Sequence, residues 1–329
     1  MRRRDFLAGS GAAAALLTTR NGHATVRSQV LRLGFVYTRN SQMGTGAAEF
    51  GRLVEQNCGG RVRVELYPSG SAGGELEMVQ DISAGTLDMS FTSSAVFSTI
   101  SPDLSIFDIP FLFRDVAHAR AVLDSDIGKT ALAKMAPKGI VGLAWGENGL
   151  RHITTASKPV RTPADLKGMK IRVPQSEVMV AGFKAFGADA QSLGFPDLYP
   201  ALASGTFQAQ ENPVAVIASA NFDKVQRYLC LTGHVYSPAA LLISKRAFDR
   251  LTPEDQQAVR AAAIVGGNAS RDFADRSDKS GIDELRRRGM TIIEDVDRPA
   301  FVAALSGVEG DFEKKFGKEN IDAIRAFGK

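Results

Sequence analysis

Apolar and polar residues alternate from Leu31 to Phe35 and again from Arg61 to Tyr67, and between them Gly44-Thr45-Gly46 opens a helical stretch from Ala47 to about Asn57. This is a strand–helix–strand unit. Glu75 to Ala84 reads as a helix stopped by Gly85, Leu87 to Phe91 as a strand, and two helices between Asp115 and Pro137 lead to an apolar strand from Ile140 to Trp145. A second series opens at Thr162-Pro163-Ala164-Asp165, an N-cap followed by proline at the first helical position. It continues with a strand from Met169 to Val173, a helix from Ser176 to Phe186, a short strand near Ala190 to Leu193, a helix starting at Pro196-Asp197, and a strand from Thr206 to Glu211. Strands separated by helices make a parallel sheet, so the fold class is α/β. After a further strand, Ala239 to Ser244, Thr252-Pro253-Glu254-Asp255 caps a helical pattern of roughly 35 residues, beyond the usual globular length. Gly266-Gly267 and Gly281 are the points where so long a helix could bend, and it suggests a spine shared by two lobes.

The N-terminus changes the picture of charge and compartment. Arg2-Arg3-Arg4-Asp5-Phe6-Leu7 precedes an apolar run from Ala8 to Leu17, and Gly22-His23-Ala24 offers a small-x-Ala cleavage site. Residues 1–24 therefore read as an export signal of twin-arginine type, with the mature chain starting near Thr25. The apolar run is too short to span a bilayer. The whole chain carries a formal net charge of +4. Loss of Arg2, Arg3, Arg4 and Arg20 against Asp5 brings it to +1, so no nucleic-acid or lipid surface is implied. Two distant cysteines, Cys58 and Cys230, make neither a disulfide framework nor a metal cluster and read as buried thiols. About 305 mature residues commonly form two cores rather than one.

Residues able to do chemistry are sparse. Past the signal, His118, His152 and His234 lack metal-binding spacing, and there is no nucleophile elbow, phosphate loop or calcium loop. No catalytic residue, metal or cofactor is assigned. Polar residues do fall where strands end, which is where open α/β sheets bind ligands. Arg151 follows the strand ending at Trp145, Arg172 sits at the end of its strand before Pro174, and Asn212 ends the next before Pro213. An arginine suits a carboxylate because its planar fork donates two parallel hydrogen bonds. Each has a plainer role available: Arg172 could share a wet strand face with Lys170, and Asn212 could cap the helix after it. Trp145 reads as core and His152 as a structural histidine.

Gly168-Met169-Lys170-Ile171-Arg172-Val173-Pro174 and Gln210-Glu211-Asn212-Pro213 resemble the two signature stretches of the TRAP (tripartite ATP-independent periplasmic) solute-binding proteins. Tyr67-Pro68-Ser69-Gly70, Gly85-Thr86-Leu87-Asp88-Met89, Phe107-Asp108-Ile109-Pro110-Phe111-Leu112-Phe113 and Trp145-Gly146-Glu147-Asn148-Gly149-Leu150-Arg151 agree, and the resemblance runs from about Val30 to the C-terminus. It implies a type II-like two-lobed periplasmic binding fold, with mixed sheets flanked by helices and a long kinked helix spanning both lobes. Lobe I would comprise residues 25–148 plus 239–279, and lobe II residues 149–238 plus 280–329. In the resemblance, Arg172 pairs with a ligand carboxylate, Asn212 binds the same end, Arg151 adds positive charge and Phe195 forms an aromatic wall. Glu75, Asn148 and Ser93 would meet ligand hydroxyls from the other lobe, with a surface role at the start of its helix the alternative for Glu75. Ser93 stands where sialic-acid binders carry glutamate, which disfavours that ligand, and Gln208-Ala209 replaces the usual Asp-Gly. The expected partners are a small carboxylate-bearing ligand, a sugar acid, hydroxy acid or dicarboxylate, and membrane permease subunits. A periplasmic enzyme acting on an organic acid, or a sensor docking on a receptor, are the alternatives.

Overall fold

The computed structural model describes residues 28–328, so the expected export signal lies outside the described residues. The described residues form nine strands: β1 (Gln29–Gly34), β2 (Val62–Tyr67), β3 (Met89–Ser93), β4 (Ile140–Thr155), β5 (Lys170–Val173), β6 (Asp189–Ser192), β7 (Ala209–Pro213), β8 (Tyr228–Ser244) and β9 (Thr291–Ile293). They join in one sheet ordered β2-β1-β3-β8-β4-β7-β5-β6, with β9 beside β8. β1 pairs in parallel with β2 and β3, and β5 in parallel with β6 and β7, so each flank is the parallel unit that alternating strands and helices require.

The two flanks are joined by β4 and β8, and here the structure departs from the sequence reading. The strand expected to stop at Trp145 runs on through Arg151 to Thr155, and the one expected to start at Ala239 begins at Tyr228. They pair antiparallel over nearly their whole length, with register shifts at Gly142/Ala144, Glu147/Gly149 and Arg151/Ile153. The far end of β8 pairs with β3, whereas the far end of β4 pairs with β7. Bulges of this kind let one strand turn from one flank into the other.

Helices cover the flanks: α1 (Gln42–Asn57), α2 (Glu75–Ala84), α3 (Val116–Asp124), α4 (Asp126–Ala133), α5 (Glu177–Ala185), α6 (Leu198–Ala203), α7 (Val214–Ser219), α8 (Lys245–Asp249), α9 (Pro253–Arg287), α10 (Arg298–Ala304), α11 (Ser306–Phe316) and α12 (Lys318–Ala326). α1 starts at Gln42, five residues before the expected start, because the Ser41 hydroxyl caps it by accepting from Gly44 N. Gly44 and Gly46, which look like breakers, sit inside it. A Cβ at Gly46 would stand 2.6 Å from the carbonyl oxygen of Gly266 on α9. The glycines of α9 have the same use. A Cβ on Gly267 would overlap the Trp145 carbonyl oxygen, and one on Gly281 would lie 2.7 Å from Val214 on α7. α9 is an unbroken 35-residue helix that touches α1 and β4 along one part and α7 along another. Its glycines permit close approach of backbones.

Trp145 is core, as expected, packed with Phe97 and Phe107 and donating from its indole to Gly128 O. Phe312, Phe316, Ile321 and Ile324 of α11 and α12 join that same cluster. The last two helices of the segment 280–329, expected with the second lobe, thus pack onto the cluster that also holds Phe107, Leu132 of α4 and Trp145. Cys58 and Cys230 are buried and unpaired, burial pushing their thiols up to about 12 and about 11.

Candidate ligand-binding site

The expected site residues converge where β4 and β8 pass from one flank of the sheet to the other. Arg151 points from β4 onto β7. Its Nε donates to Glu211 Oε2 at 2.5 Å, and its Nη2 to Glu211 Oε1 at 2.8 Å and to Asn212 Oδ1 at 3.2 Å. Both partners of this pair are fully buried, Arg151 at 2 % exposure and Glu211 at none. Burial alone would raise the Glu211 carboxyl, but the Arg151 guanidinium and a hydrogen bond from His234 outweigh it and hold the carboxyl low. Burial keeps His234 neutral, so Nε2–H donates to Glu211 at 3.0 Å while Nδ1 accepts from Thr232 Oγ1 at 2.7 Å. Asn212 passes the chain on: its Nδ2 donates to Gln210 Oε1, Gln210 Nε2 to Thr154 Oγ1, and Thr154 Oγ1 to Gln226 Oε1. The N-cap position of α7 is Pro213, so Asn212 is a strand residue oriented by Arg151 rather than the cap of that helix.

Arg172 lies on β5, whose Ile171 and Arg172 pair with Ala209 and Gln210 of β7. It is 3 % exposed, so the wet face shared with Lys170 is not its setting. Its Nε and Nη2 both donate to Leu193 O, at 2.8 and 2.6 Å, which fixes the guanidinium plane. No carboxylate stands within ion-pair distance of it among the described residues. Burial lowers its proton affinity to about 10, still well above neutral pH. One arginine of the pair is therefore neutralised by Glu211. The other is a buried cation without a counter-ion.

From the β3 side, Glu75 begins α2 and points at the end of β3. Its Oε1 accepts from Thr92 Oγ1 and Ser93 N, and its Oε2 from Ser93 Oγ at 2.9 Å. Ser93 thus orients Glu75. Asn148 sits at the Glu147/Gly149 bulge, where its Oδ1 accepts from Gln42 Nε2 and its Nδ2 donates to Ser237 Oγ. Tyr37, just past the carboxyl end of β1, was absent from the sequence reading. It is 4 % exposed, beside Asn148, and within the fields of Glu75, Arg151 and Arg172. Burial, then the charge of Glu75, raise its phenol well above the ordinary value. Tyr37 meets Phe195 edge to face at 4.7 Å, which joins the two flanks. The position of Tyr37 beyond a central parallel strand is the signal that could have found it. A cavity of about 200 Å³ bordered by Tyr37, Ser69, Phe195 and Pro196 opens beside this group. A larger groove of about 440 Å³, between Leu104, Ile127 and Phe316, holds none of the expected residues.

His152 is structural: burial drives its pKa to about 3, and Nδ1 accepts from Gly233 N. Among the described residues no group of three or more His, Cys, Asp or Glu side chains could hold a metal ion.

A sheet in two flanks, joined by long strands and closing on a buried unpaired cation, is the architecture of an extracellular solute-binding protein. The family model for the bacterial extracellular solute-binding proteins, family 7 (DctP), matches residues 33–315, and the chain belongs to that family. The 2,3-diketo-L-gulonate-binding periplasmic protein of Escherichia coli is 37% identical over 303 residues, 92% of each chain. A TRAP periplasmic solute-binding protein from Polaromonas, solved with D-erythronate, superposes with a TM-score of 0.91 at 40% identity, covering 92% of this chain and 100% of that one. Another from Sulfurospirillum deleyianum, with bound succinate, gives 0.86 at 27% identity over 91% of this chain and 99% of that one.

Proposed function

We propose that the chain works in the periplasm as the solute-binding subunit of a TRAP transporter, holding the carboxylate of a small organic acid on Arg172 and delivering the acid to membrane permease subunits. The observation that carries this is the Arg172 guanidinium, buried, fixed in plane by Leu193 O and left without a counter-ion. A buried charge is stable only when paired, so the partner is an anion from outside the chain. Arg151, held by Glu211, turns Asn212 toward the same end of the ligand; Phe195 and Tyr37 wall the cleft; Glu75, with Ser93 and Asn148 behind it, serves hydroxyl groups. The lobes divide at 25–148 plus 239–279 and 149–238 plus 280–329, with α11 and α12 of the last segment reaching back onto the Trp145 cluster of the first lobe, and β4, β8 and α9 carry the hinge. Residues 1–24 direct export by the twin-arginine route. The protein binds and releases its ligand without turning it over. Erythronate and succinate, the ligands of two structural neighbours, both fit the carboxylate end of this reading.

A thermal-shift screen of residues 25–329 against organic acids and neutral sugars tests the reading. Ligand that binds the folded state alone raises the melting temperature as its concentration passes Kd. A shift with carboxylates that is lost in Arg172→Ala supports it. Shifts confined to uncharged sugars would sink it.

A further inference from the structure

The polar groups of the cleft do not balance symmetrically. At the Arg172 end there is one cation free to meet an anion, since Arg151 is spent on Glu211. At the Glu75 end there is a carboxylate 8 % exposed, and no Lys, Arg or His lies within ion-pair distance of it among the described residues. Glu75 acts only as an acceptor, from Thr92 Oγ1, Ser93 N and Ser93 Oγ. Two of these three bonds fall on Oε1 and one on Oε2. A carboxylate oxygen has about two acceptor sites, so Oε2 keeps one open and can accept a hydrogen bond from a ligand hydroxyl. It can offer no proton and no positive charge to a second ligand carboxylate. The charge of Glu75 also reaches Tyr37, Arg151 and Arg172, which places it in the same cleft rather than on a remote surface.

Resting on the organic-acid reading above, we infer that Glu75 is the specificity-determining residue of the site. It accepts a hydroxyl from the far end of a polyhydroxy monocarboxylate and rejects a dicarboxylate of the same length by placing anion against anion. Arg172 recognises what all the candidate acids share, and Glu75 reads what distinguishes them. Rejection of this kind comes from a repulsive element built into the site. A like-charge contact in a desolvated cleft is unfavourable enough to separate matched ligands by about 100-fold or more.

The test uses ligand pairs that differ only in one end, CH2OH against COO−: D-erythronate with meso-tartrate, and D-galactonate with galactarate. Calorimetric titration of the wild-type protein should show the hydroxy monocarboxylate of the pair that binds favoured by at least about 100-fold. In Glu75→Gln, which keeps an acceptor oxygen and removes the charge, the dicarboxylate should bind more tightly than it does to wild type and the preference should shrink at least about tenfold. Equal affinities within a pair for wild type, or an unchanged preference in the folded variant, would overturn the inference while leaving the organic-acid function standing. Should Glu75→Gln not fold, the wild-type preference decides by itself. If wild type bound none of a wide panel of carboxylates, the functional reading would fail first, and this inference with it.

Discussion

Replacing Arg172 separates two quantities that usually fall together. The guanidinium is 3 % exposed, so solvent screening does not dilute its contact with an anion. Truncating one member of a buried charge pair costs about 2–5 kcal/mol of binding, or about 30-fold to several thousand-fold in Kd at 1.4 kcal/mol per decade. In the ligand-free protein the sign of the electrostatic part reverses. There the side chain is a desolvated cation whose proton affinity burial already lowers to about 10, so its removal relieves a cost. Lost packing and the vacated Leu193 carbonyl act against that gain. Arg172→Ala should therefore abolish most carboxylate binding while the ligand-free melting temperature moves by less than the ligand-induced shift of the wild type. Arg172→Lys should fall between, because an ammonium cannot reproduce the fork. Titration calorimetry measures the first quantity and thermal unfolding the second. An Ala variant that stays folded and binds within threefold of wild type would refute the argument.

Three further outcomes follow from the same structure. Asp108 accepts from Ser94 Oγ at 2.5 Å and from Ser176 Oγ, the N-cap of α5, at 2.9 Å; burial pushes its carboxyl up to about 6 from an ordinary 3.8. The folded state thus holds that proton more tightly than the unfolded state, so this group costs stability as pH rises from about 4 to 6. Asp108→Asn should then be more stable than wild type at pH 7, by up to about 3 kcal/mol, with the gain vanishing near pH 4; a difference independent of pH in urea unfolding would contradict this. Gly267→Ala, which drives a methyl into the Trp145 carbonyl, should destabilise by about 3 kcal/mol or more, whereas Gly281→Ala meets only a side-chain methyl and should cost about 1 kcal/mol; equal unfolding midpoints would refute the packing role of Gly267. Glu211→Gln leaves Arg151 buried without its counter-ion and should cost about 3–5 kcal/mol of stability, read by thermal unfolding.

Much of the fold was legible wherever local chemistry governs. α2 runs from Glu75 to Ala84 because Gly85 adopts φ 77° behind it, and α9 starts where Thr252 Oγ1 accepts from Asp255 N; both ends were written in capping residues. The crossing strands were not legible. Gly146-Glu147-Asn148-Gly149 has the composition of a turn, and Gly149 has φ 127°, yet the segment is a bulged strand held by pairing with residues nearly 90 positions away. Pairing at that distance leaves no trace in local periodicity. The same limit hid the start of α1, since the closeness of Gly46 to Gly266 is a tertiary fact. In the site, the motif residues Arg172 and Asn212 were found, but what they touch was not. Glu211 was read as part of a motif without its role as the counter-ion of Arg151, and Tyr37 lies outside every quoted motif.

The crossing strands also bear on how the chain comes off the ribosome. β3 ends at Ser93, whose ladder partner is Ala239, and the rest of that strand pairs with Ala240, Leu241, Leu242 and Ile243. The flank beside Glu75 and Tyr37 cannot be finished until the segment near residue 243 has been made, by which time every strand of the opposite flank except β9 already exists. Synthesis from the N-terminus gives this protein no early domain to complete, so its nascent chain must travel with an open sheet edge for most of its length.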